Sequence, residues 1–274
     1  MYTGVLRKMS TEAASPIQYT MRLGQEDLVV NDWVGKAVKL RATGNNFCID
    51  CGNATTNRFG QGFCYSCFME SPLNSECIVR PELCRAHLGQ GRDVEWEEAY
   101  HNQPHVVYLA DSGGLKVGVT SDQQIPYRWI DQGATQGVVI AETPNRYLAG
   151  SIEVTLKQFY DDKTHWQRML RGAEAKIDLD KERSRAHSLL PEDLQAYRSS
   201  THMVRGLQYP LERPPATLKS VNLEKENSVS GRLVGVRGQY LVWEHGQVMN
   251  VRKHSGMEIV WEAGQPQPVQ TSLF

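Results

Sequence analysis

Residues 105–153, which read HVVYLADSGGLKVGVTSDQQIPYRWIDQGATQGVVIAETPNRYLAGSIE, decide the fold of this chain. Two apolar runs, at 106–109 and 115–120, flank a loop with two glycines, and this pattern predicts a β-hairpin. A proline is tolerated in the first turn of a helix, so Pro126 predicts a helix start. A third apolar run predicts another strand, and apolar residues spaced three and four apart predict a final helix over 152–159. The predicted order of elements is therefore β-β-α-β-α.

This stretch resembles the core of the GIY-YIG nuclease superfamily. Val106-Val107-Tyr108 corresponds to the first tripeptide of the superfamily and Lys116-Val117-Gly118 to the second. Arg128 opens the next helix, and Glu153 lies in the last one. Lys116 stands where the typical nuclease has its second tyrosine, although some branches of the superfamily also carry lysine there. Over its whole length, the chain also resembles an uncharacterised bacterial family in which a cysteine-rich segment precedes such a core.

The nuclease resemblance implies metal-dependent hydrolysis of a phosphodiester bond in DNA or RNA. It implies that Glu153 holds Mg²⁺ or Mn²⁺ and that Tyr108 activates or positions the attacking water. Arg128 would bind the phosphoryl oxygens, because its planar guanidinium fits them better than an ammonium group does. Lys116 would share that binding, or act as the base if burial lowers its pKa.

Other interpretations of the same residues remain open. A tyrosine in a strand usually serves packing, and Arg128 and Glu153 could pair with each other between two helices. The chain would then be a non-catalytic zinc protein that binds a nucleic acid or a protein partner. A third possibility is an enzyme that acts on a small nucleotide or guanidino compound. Asn145 and the two residues after it are interpreted as a turn, in which Arg146 could contact a phosphate or a carboxylate.

Two CxxC pairs lie before the core, with twelve residues between them. Such pairs form the two turns of a tetrahedral zinc site, because each short loop directs two thiolates at one ion. A disulfide framework is not expected in a cytosolic chain. The sequence therefore predicts a structural Zn²⁺ whose ligands are Cys48, Cys51, Cys64 and Cys67.

A second, looser group follows, with the spacing Cys-x6-Cys-x2-His. Cys77, Cys84 and His87 offer three ligands for a possible second Zn²⁺, and His101 or His105 is a candidate for the fourth. We take the set Cys77, Cys84, His87 and His105 as the prediction. A closed set of four would be structural, whereas three ligands with an open position would give a reactive zinc. The alternative is that the two cysteines are small buried residues and His87 is solvated.

Composition and charge restrict the partners. The chain has 274 residues, 40% of them hydrophobic and 22% charged, and its formal net charge is −1. These values are typical of a soluble protein, and we find neither an apolar run long enough to span a bilayer nor a signal-peptide pattern. We therefore expect a cytoplasmic protein without a membrane partner. Any DNA or RNA would have to meet a local basic surface, because the bulk charge does not attract it.

We predict an α+β fold: a small GIY-YIG-like mixed sheet with helices, preceded by a zinc-binding module and bracketed by β-rich terminal units. A weak internal repeat relates residues 4–38 to 231–259, so the two ends are either sister β units of one module or chance likenesses. The predicted segments, in order, are an N-terminal β unit (1–43), the cysteine-rich zinc module (44–103), the GIY-YIG-like core (104–160), a helical segment (161–218), and a C-terminal β unit with a tail (219–274).

Overall fold

The computed structural model describes residues 1–172, 177–201, 203–212 and 216–264. The end of the predicted tail, beyond 264, and parts of the predicted helical segment, at 173–176, 202 and 213–215, lie outside the described residues. The chain divides into two compact units. The first comprises Met1–Tyr65 with Tyr209–Phe274, and the second comprises Ser66–Gln208.

The secondary structure is mixed, which confirms the α+β class. The strands, in chain order, are Tyr2–Val5 (β1), Ser10–Glu12 (β2), Gln18–Leu23 (β3), Glu26–Val29 (β4), Ala37–Asn46 (β5), His105–Asp111 (β6), Leu115–Ser121 (β7), Gln136–Thr143 (β8), Met203–Arg205 (β9), Lys219–Ser220 (β10), Ser228–Arg237 (β11), Tyr240–Trp243 (β12), Gln247–Asn250 (β13) and Met257–Ala263 (β14). The α-helices are Tyr65–Glu70 (α1), Val94–His101 (α2), Tyr127–Asp131 (α3), Arg146–Leu156 (α4), Trp166–Arg171 (α5), Leu179–Ser188 (α6) and Leu223–Glu226 (α7). None of the helices in the described part of the chain combines the length and the apolar character needed to cross a membrane.

The first unit is built from both ends of the chain. Its larger sheet has the strand order β1-β14-β5-β11-β12-β13-β10, so N-terminal and C-terminal strands alternate over its first four positions. The pairing is antiparallel except between β10 and β13. A smaller antiparallel sheet, β2-β3-β4, completes the strands of this unit. Residues from the two terminal segments therefore share one sheet.

The second unit contains a four-stranded antiparallel sheet with the order β7-β6-β8-β9. Every residue of β6 is buried, as expected for a central strand that is covered on both faces. The predicted order β-β-α-β-α is confirmed as β6, β7, α3, β8 and α4. The segment predicted as helical after 160 also supplies β9, three residues whose pairing with β8 depends on tertiary contact.

Two apolar layers cover this sheet. Val107 and Leu109 of β6 contribute to a cluster with Ile152 of α4 and Leu179 of α6. Alternate residues of a strand point to opposite faces. Tyr108 accordingly belongs to the other cluster, together with Trp129 of α3 and Val139 of β8. The sheet thus separates α4 and α6 from α3, and the candidate site residues come from both sides.

Helix α4 begins earlier than predicted. The residues interpreted as a turn are its N-terminus, since Asn145 is the N-cap and its side chain accepts a hydrogen bond from the Leu148 amide at 3.0 Å. The helix ends at Leu156, three residues before the predicted end. Arg146 consequently occupies the first helical turn, and Glu153 lies two turns further along the helix.

Candidate functional site

Tyr108 is positioned by its pairing with the second strand of the hairpin. It lies opposite Gly118, and a Cβ on Gly118 would be 2.5 Å from the Tyr108 hydroxyl oxygen. The glycine of the second tripeptide therefore makes room for the phenol. Tyr108 is fully buried and contacts Trp129 edge to face, with 6.0 Å between the ring centroids. Substrate would not reach a side chain that is enclosed in this way.

The Tyr108 hydroxyl lies beside two polar groups of the segment 127–132. It accepts a hydrogen bond from Gln132 Nε2 at 2.8 Å, and it interacts with the Arg128 guanidinium. Burial raises the pKa of Tyr108 even though Arg128 acts in the opposite direction, so the phenol is neutral at physiological pH. Electrostatic interaction with Tyr108, in turn, raises the pKa of Arg128. Within the described part of the chain, buried Arg128 Nε and Gln132 Oε1 have no hydrogen-bond partner, which leaves polar groups available to a ligand.

Lys116 is on β7, and its ammonium group interacts electrostatically with Arg128 and Glu153. Its side chain is buried, and Nζ donates a hydrogen bond to the backbone oxygen of Asp162 at 3.0 Å. Burial and, to a smaller extent, the nearby Arg128 lower the pKa of Lys116 to about 8, although Glu153 acts to raise it. A substantial fraction of this amine is therefore neutral slightly above physiological pH, as a general base requires.

Glu153 is the buried carboxylate of α4. Its Oε2 lies 3.2 Å from Nζ of Lys157, one turn further along the helix. Glu153 therefore forms its ion pair with Lys157, and not with Arg128 as one interpretation of the sequence suggested. Burial raises the pKa of Glu153, although Lys157, Lys116 and Arg146 all favour its charged form.

The structure thus brings the four predicted residues into one electrostatic group. The charge of Glu153 acts on Tyr108, Lys116 and Arg128, and Arg128 acts on Tyr108 and Lys116. The sequence analysis missed Lys157 and Gln132 as members of this group. Each lies four residues after a predicted site residue, and this spacing places side chains on one helical face, so it could have indicated them.

The four cysteines between 48 and 67 form the first candidate metal site. The boundary between the two units falls after Tyr65, within α1. The four cysteines nevertheless belong to one short, continuous segment of the chain. One ligand atom from each of the four cysteines lies within 4.8 Å of the others, and the Cys51 and Cys64 sulfurs are 3.9 Å apart. A tetrahedral zinc with Zn–S bonds of about 2.3 Å separates its sulfurs by about 3.8 Å. The predicted group could therefore hold a metal ion such as zinc.

The turns around these cysteines suit thiolates. Burial raises the pKa of Cys48, but backbone amides of Cys64, Asp50 and Cys51 outweigh that effect and lower the pKa to about 6. Gly52, directly after the first pair, has a φ of 76°, a left-handed conformation that costs glycine little. Amide groups directed at a sulfur stabilise the charged form that binds metal.

A second group lies wholly within the second unit. It consists of Cys77, Cys84, Glu97 and His101, all buried, with one ligand atom from each within 4.8 Å of the others. His101 Nδ1 is 3.5 Å from the Cys77 sulfur and 3.5 Å from Glu97 Oε2. Both cysteines belong to the predicted second set, and His101 was one of its two candidates for the fourth ligand. Glu97 was missed, although its spacing of four from His101 on a helix could have indicated it.

The other two residues of the predicted second set are not part of this group. The ring of His87 stacks on Tyr147, with 4.6 Å between the centroids. His105 starts β6 and is buried, and its Nδ1 is hydrogen-bonded to the backbone oxygen of Gln103 at 2.8 Å. Burial lowers the pKa of His105 to about 4, so this ring is neutral. Tertiary packing places Glu97 and His101 beside the two cysteines instead. The spacing of the cysteines in the sequence gives no information about this packing.

A comparison with protein-family models gave one match, to a family described as "Protein of unknown function (DUF2797)", over residues 35–259. The chain belongs to this family. The DUF2797 match includes both candidate metal groups and all four residues of the core group. Comparison with curated proteins and with solved structures found no match. The likeness to GIY-YIG nucleases therefore rests on the residues of the core alone.

Proposed function

We propose that the core hydrolyses phosphodiester bonds of nucleic acid with the help of a divalent ion. The observation that carries this proposal is the mutual electrostatic influence of Tyr108, Lys116, Arg128 and Glu153. These four residues come from different elements, and the GIY-YIG resemblance selects the same four. Phosphodiester hydrolysis needs a carboxylate for the ion, a base, and positive charge for the phosphoryl oxygens, and the group contains each of them.

In the proposed mechanism, Glu153 would hold Mg²⁺ or Mn²⁺, and the ion would supply charge that polarises a phosphoryl oxygen. A cation bound at Glu153 offsets the burial that raises the pKa of this carboxyl. Arg128 would donate hydrogen bonds to phosphoryl oxygens, and its partnerless Nε is one available donor.

Burial has opposite effects on the pKa values of Tyr108 and Lys116, and we therefore assign them different roles. Tyr108 is enclosed and its pKa is raised, so we assign it the positioning of Arg128 rather than activation of water. Lys116, with a pKa of about 8, would accept the proton of the attacking water. The hydroxide attacks phosphorus, the bond from phosphorus to the leaving oxygen breaks, and solvent protonates that oxygen. The lysine that departs from the GIY-YIG pattern thereby becomes the base.

The four-cysteine cluster has a structural role in this proposal. Zinc bound by Cys48, Cys51, Cys64 and Cys67 would order the loops between 48 and 67, because metal binding in such small segments supplies folding free energy. Four protein ligands leave no open position for water, so the chemistry is assigned to the core group alone.

The proposal is tested with purified full-length protein and a panel of single-stranded and double-stranded DNA and RNA. We expect cleavage of at least one substrate with Mn²⁺ or Mg²⁺, and its loss with a chelator specific for these ions. Arg128→Ala should reduce the rate at least 100-fold, because it removes the phosphoryl clamp. The matched control Arg168→Ala changes an exposed arginine and should retain the rate. If no substrate is cleaved, or if both variants behave like wild type, the proposal is wrong.

The second candidate function is binding of nucleic acid without hydrolysis. The Glu153–Lys157 ion pair favours it, since an internal cation already neutralises the carboxylate. The enclosure of Tyr108 points in the same direction. This function predicts binding of the panel with no turnover under any metal, and weaker binding for Arg128→Ala than for Arg168→Ala.

A further inference from the structure

The second metal-ligand group has no part in the proposed hydrolysis. We propose that Cys77, Cys84, Glu97 and His101 bind a second, structural zinc ion, and that this ion fixes the start of helix α4. The group lies at a junction of two regions: the short turns at 72–88 supply the cysteines, and α2 supplies Glu97 and His101. The inference does not depend on whether the core hydrolyses anything.

The separations within the group fit tetrahedral zinc. With a Zn–S bond of about 2.3 Å and a Zn–N bond of about 2.0 Å, tetrahedral angles place sulfur and nitrogen about 3.5 Å apart. His101 Nδ1 lies 3.5 Å from the Cys77 sulfur. The same nitrogen is 3.5 Å from Glu97 Oε2, close to the roughly 3.3 Å expected for nitrogen and oxygen on one zinc.

The surroundings orient the ligands as a metal site requires. Glu97 Oε1 accepts a hydrogen bond from the Arg92 amide at 3.0 Å, which leaves Oε2 turned towards His101. Gly91 allows this approach, because a Cβ there would collide with the Glu97 carboxylate. Glu97 and His101 are four residues apart on α2, so they lie on one face of the helix.

The sulfurs of Cys77 and Cys84 lie within 4.8 Å of each other, so one cation can contact both and favour both thiolates. Thiolate ligands favour zinc over hard ions such as Mg²⁺. Four buried protein ligands fill the tetrahedral coordination of zinc and leave no position for a reacting water. The proposed ion is therefore structural.

Arg146 connects this group to α4. Its Nε donates to the backbone oxygen of Cys77 at 2.9 Å, and its Nη2 donates to that of Ile78 at 3.0 Å. One turn along the helix, Gly150 contacts the backbone at Glu82 so closely that a Cβ would collide with it. An ion that fixes the turns at 72–88 therefore fixes the helix that carries Glu153.

Metal content of the purified full-length chain tests the proposal. We expect two zinc ions per chain in the wild type, and one in Cys84→Ser and in His101→Ala. The matched controls His87→Ala and Glu98→Gln change a histidine near the cysteines and a glutamate on α2, and both should retain two. One zinc in the wild type would overturn the proposal, and so would loss of an ion in His87→Ala but not in His101→Ala.

Two further measurements complete the test, and the first of them needs no variant. X-ray absorption of the wild-type zinc should show an average of three sulfurs and one nitrogen or oxygen per ion, because six cysteines serve two sites. Four sulfurs per ion would contradict the second site. Amide exchange over 146–156 should be at least tenfold faster in His101→Ala than in His87→Ala. Equal exchange rates in the two variants would overturn the link to α4.

Discussion

At the scale of single residues, the candidate core depends on space and on burial. Gly118 leaves the volume that Tyr108 fills, and the enclosed phenol holds Arg128 and Gln132. Burial acts on Lys116 in a different way, because it lowers the pKa of the amine to about 8. In the proposed hydrolysis, Lys116 is therefore the residue that accepts a proton near neutral pH.

Gly118→Ala is expected to destabilise the protein by about 1–3 kcal/mol, the usual cost of adding a methyl group to a well-packed core. The added Cβ would lie 2.5 Å from the Tyr108 hydroxyl and 2.7 Å from Cζ. Denaturant unfolding measures the cost. In a Tyr108→Leu background, which removes both atoms, the same substitution should cost less, so the two changes are coupled. Strictly additive costs would contradict the contact.

The pKa of Lys116 predicts a dependence of stability on pH. The usual lysine pKa of 10.5 applies to the unfolded chain, and the folded value is about 8. Between these two values the unfolded chain binds more protons, so the contribution of Lys116 to the free energy of unfolding rises with pH. Lys116→Met removes this contribution.

The difference in free energy of unfolding between wild type and Lys116→Met should therefore grow from pH 8 to pH 10.5 in favour of the wild type. The exposed Lys163→Met serves as the control, with a difference from wild type that stays constant. Parallel curves for wild type and Lys116→Met would show that Lys116 is not buried as an uncharged amine.

At the scale of secondary-structure elements, α4 brings the parts of the second unit together. Its apolar face packs on the sheet through Ala149, Ile152 and Leu156, its first residue contacts the turns at 72–88, and Glu153 belongs to the core group. The start of the helix depends on a single cap, because the Asn145 side chain accepts a hydrogen bond from the Leu148 amide.

Asn145→Ala should destabilise the protein by about 1 kcal/mol, the typical loss for an N-cap side chain. Asn145→Asp keeps an acceptor at the same position, and its negative charge suits the helix N-terminus, so it should retain stability. Urea unfolding of the three proteins measures the effect. Equal midpoints for Asn145→Ala and wild type would show that the cap contributes nothing to the start of α4.

Local patterns explain which elements the sequence could predict. The hairpin of β6 and β7 and the grouping of the two CxxC pairs depend on residues that are close in sequence. The structure contains both the hairpin and the group. The N-terminal turn of α4 was missed because the predicted helix began at Ile152 and Asn145 was interpreted as part of a turn, whereas it is the N-cap of the helix. Glu97 was missed because its position near the two cysteines depends on α2 packing beside the turns at 72–88, a tertiary contact without a signal in the cysteine spacing.

At the scale of the whole molecule, charge limits how nucleic acid could bind. The formal net charge is −1, so attraction must come from a few local cations. Arg128 and Lys157 are partly exposed beside the core group, whereas Lys116 is buried. We therefore expect the proposed contact with phosphates to be small and its dependence on salt to be weak.

The logarithm of the affinity for double-stranded DNA should fall with the logarithm of salt concentration with a slope of about −2, as expected for two phosphate contacts. Arg128→Ala should reduce the magnitude of the slope by about 1. Fluorescence anisotropy between low and physiological salt measures both values. A slope several times steeper would show that the main basic surface lies elsewhere on the chain.

The central claim is that one carboxylate, Glu153, serves a hydrolytic group in the core. Its most direct test is the initial rate of Mn²⁺-dependent cleavage of a fluorescent oligonucleotide by wild type, Glu153→Gln and the exposed control Glu192→Gln. We predict cleavage by wild type and Glu192→Gln and at least a 100-fold lower rate for Glu153→Gln, with folding and zinc content unchanged. Equal rates for Glu153→Gln and wild type would contradict it.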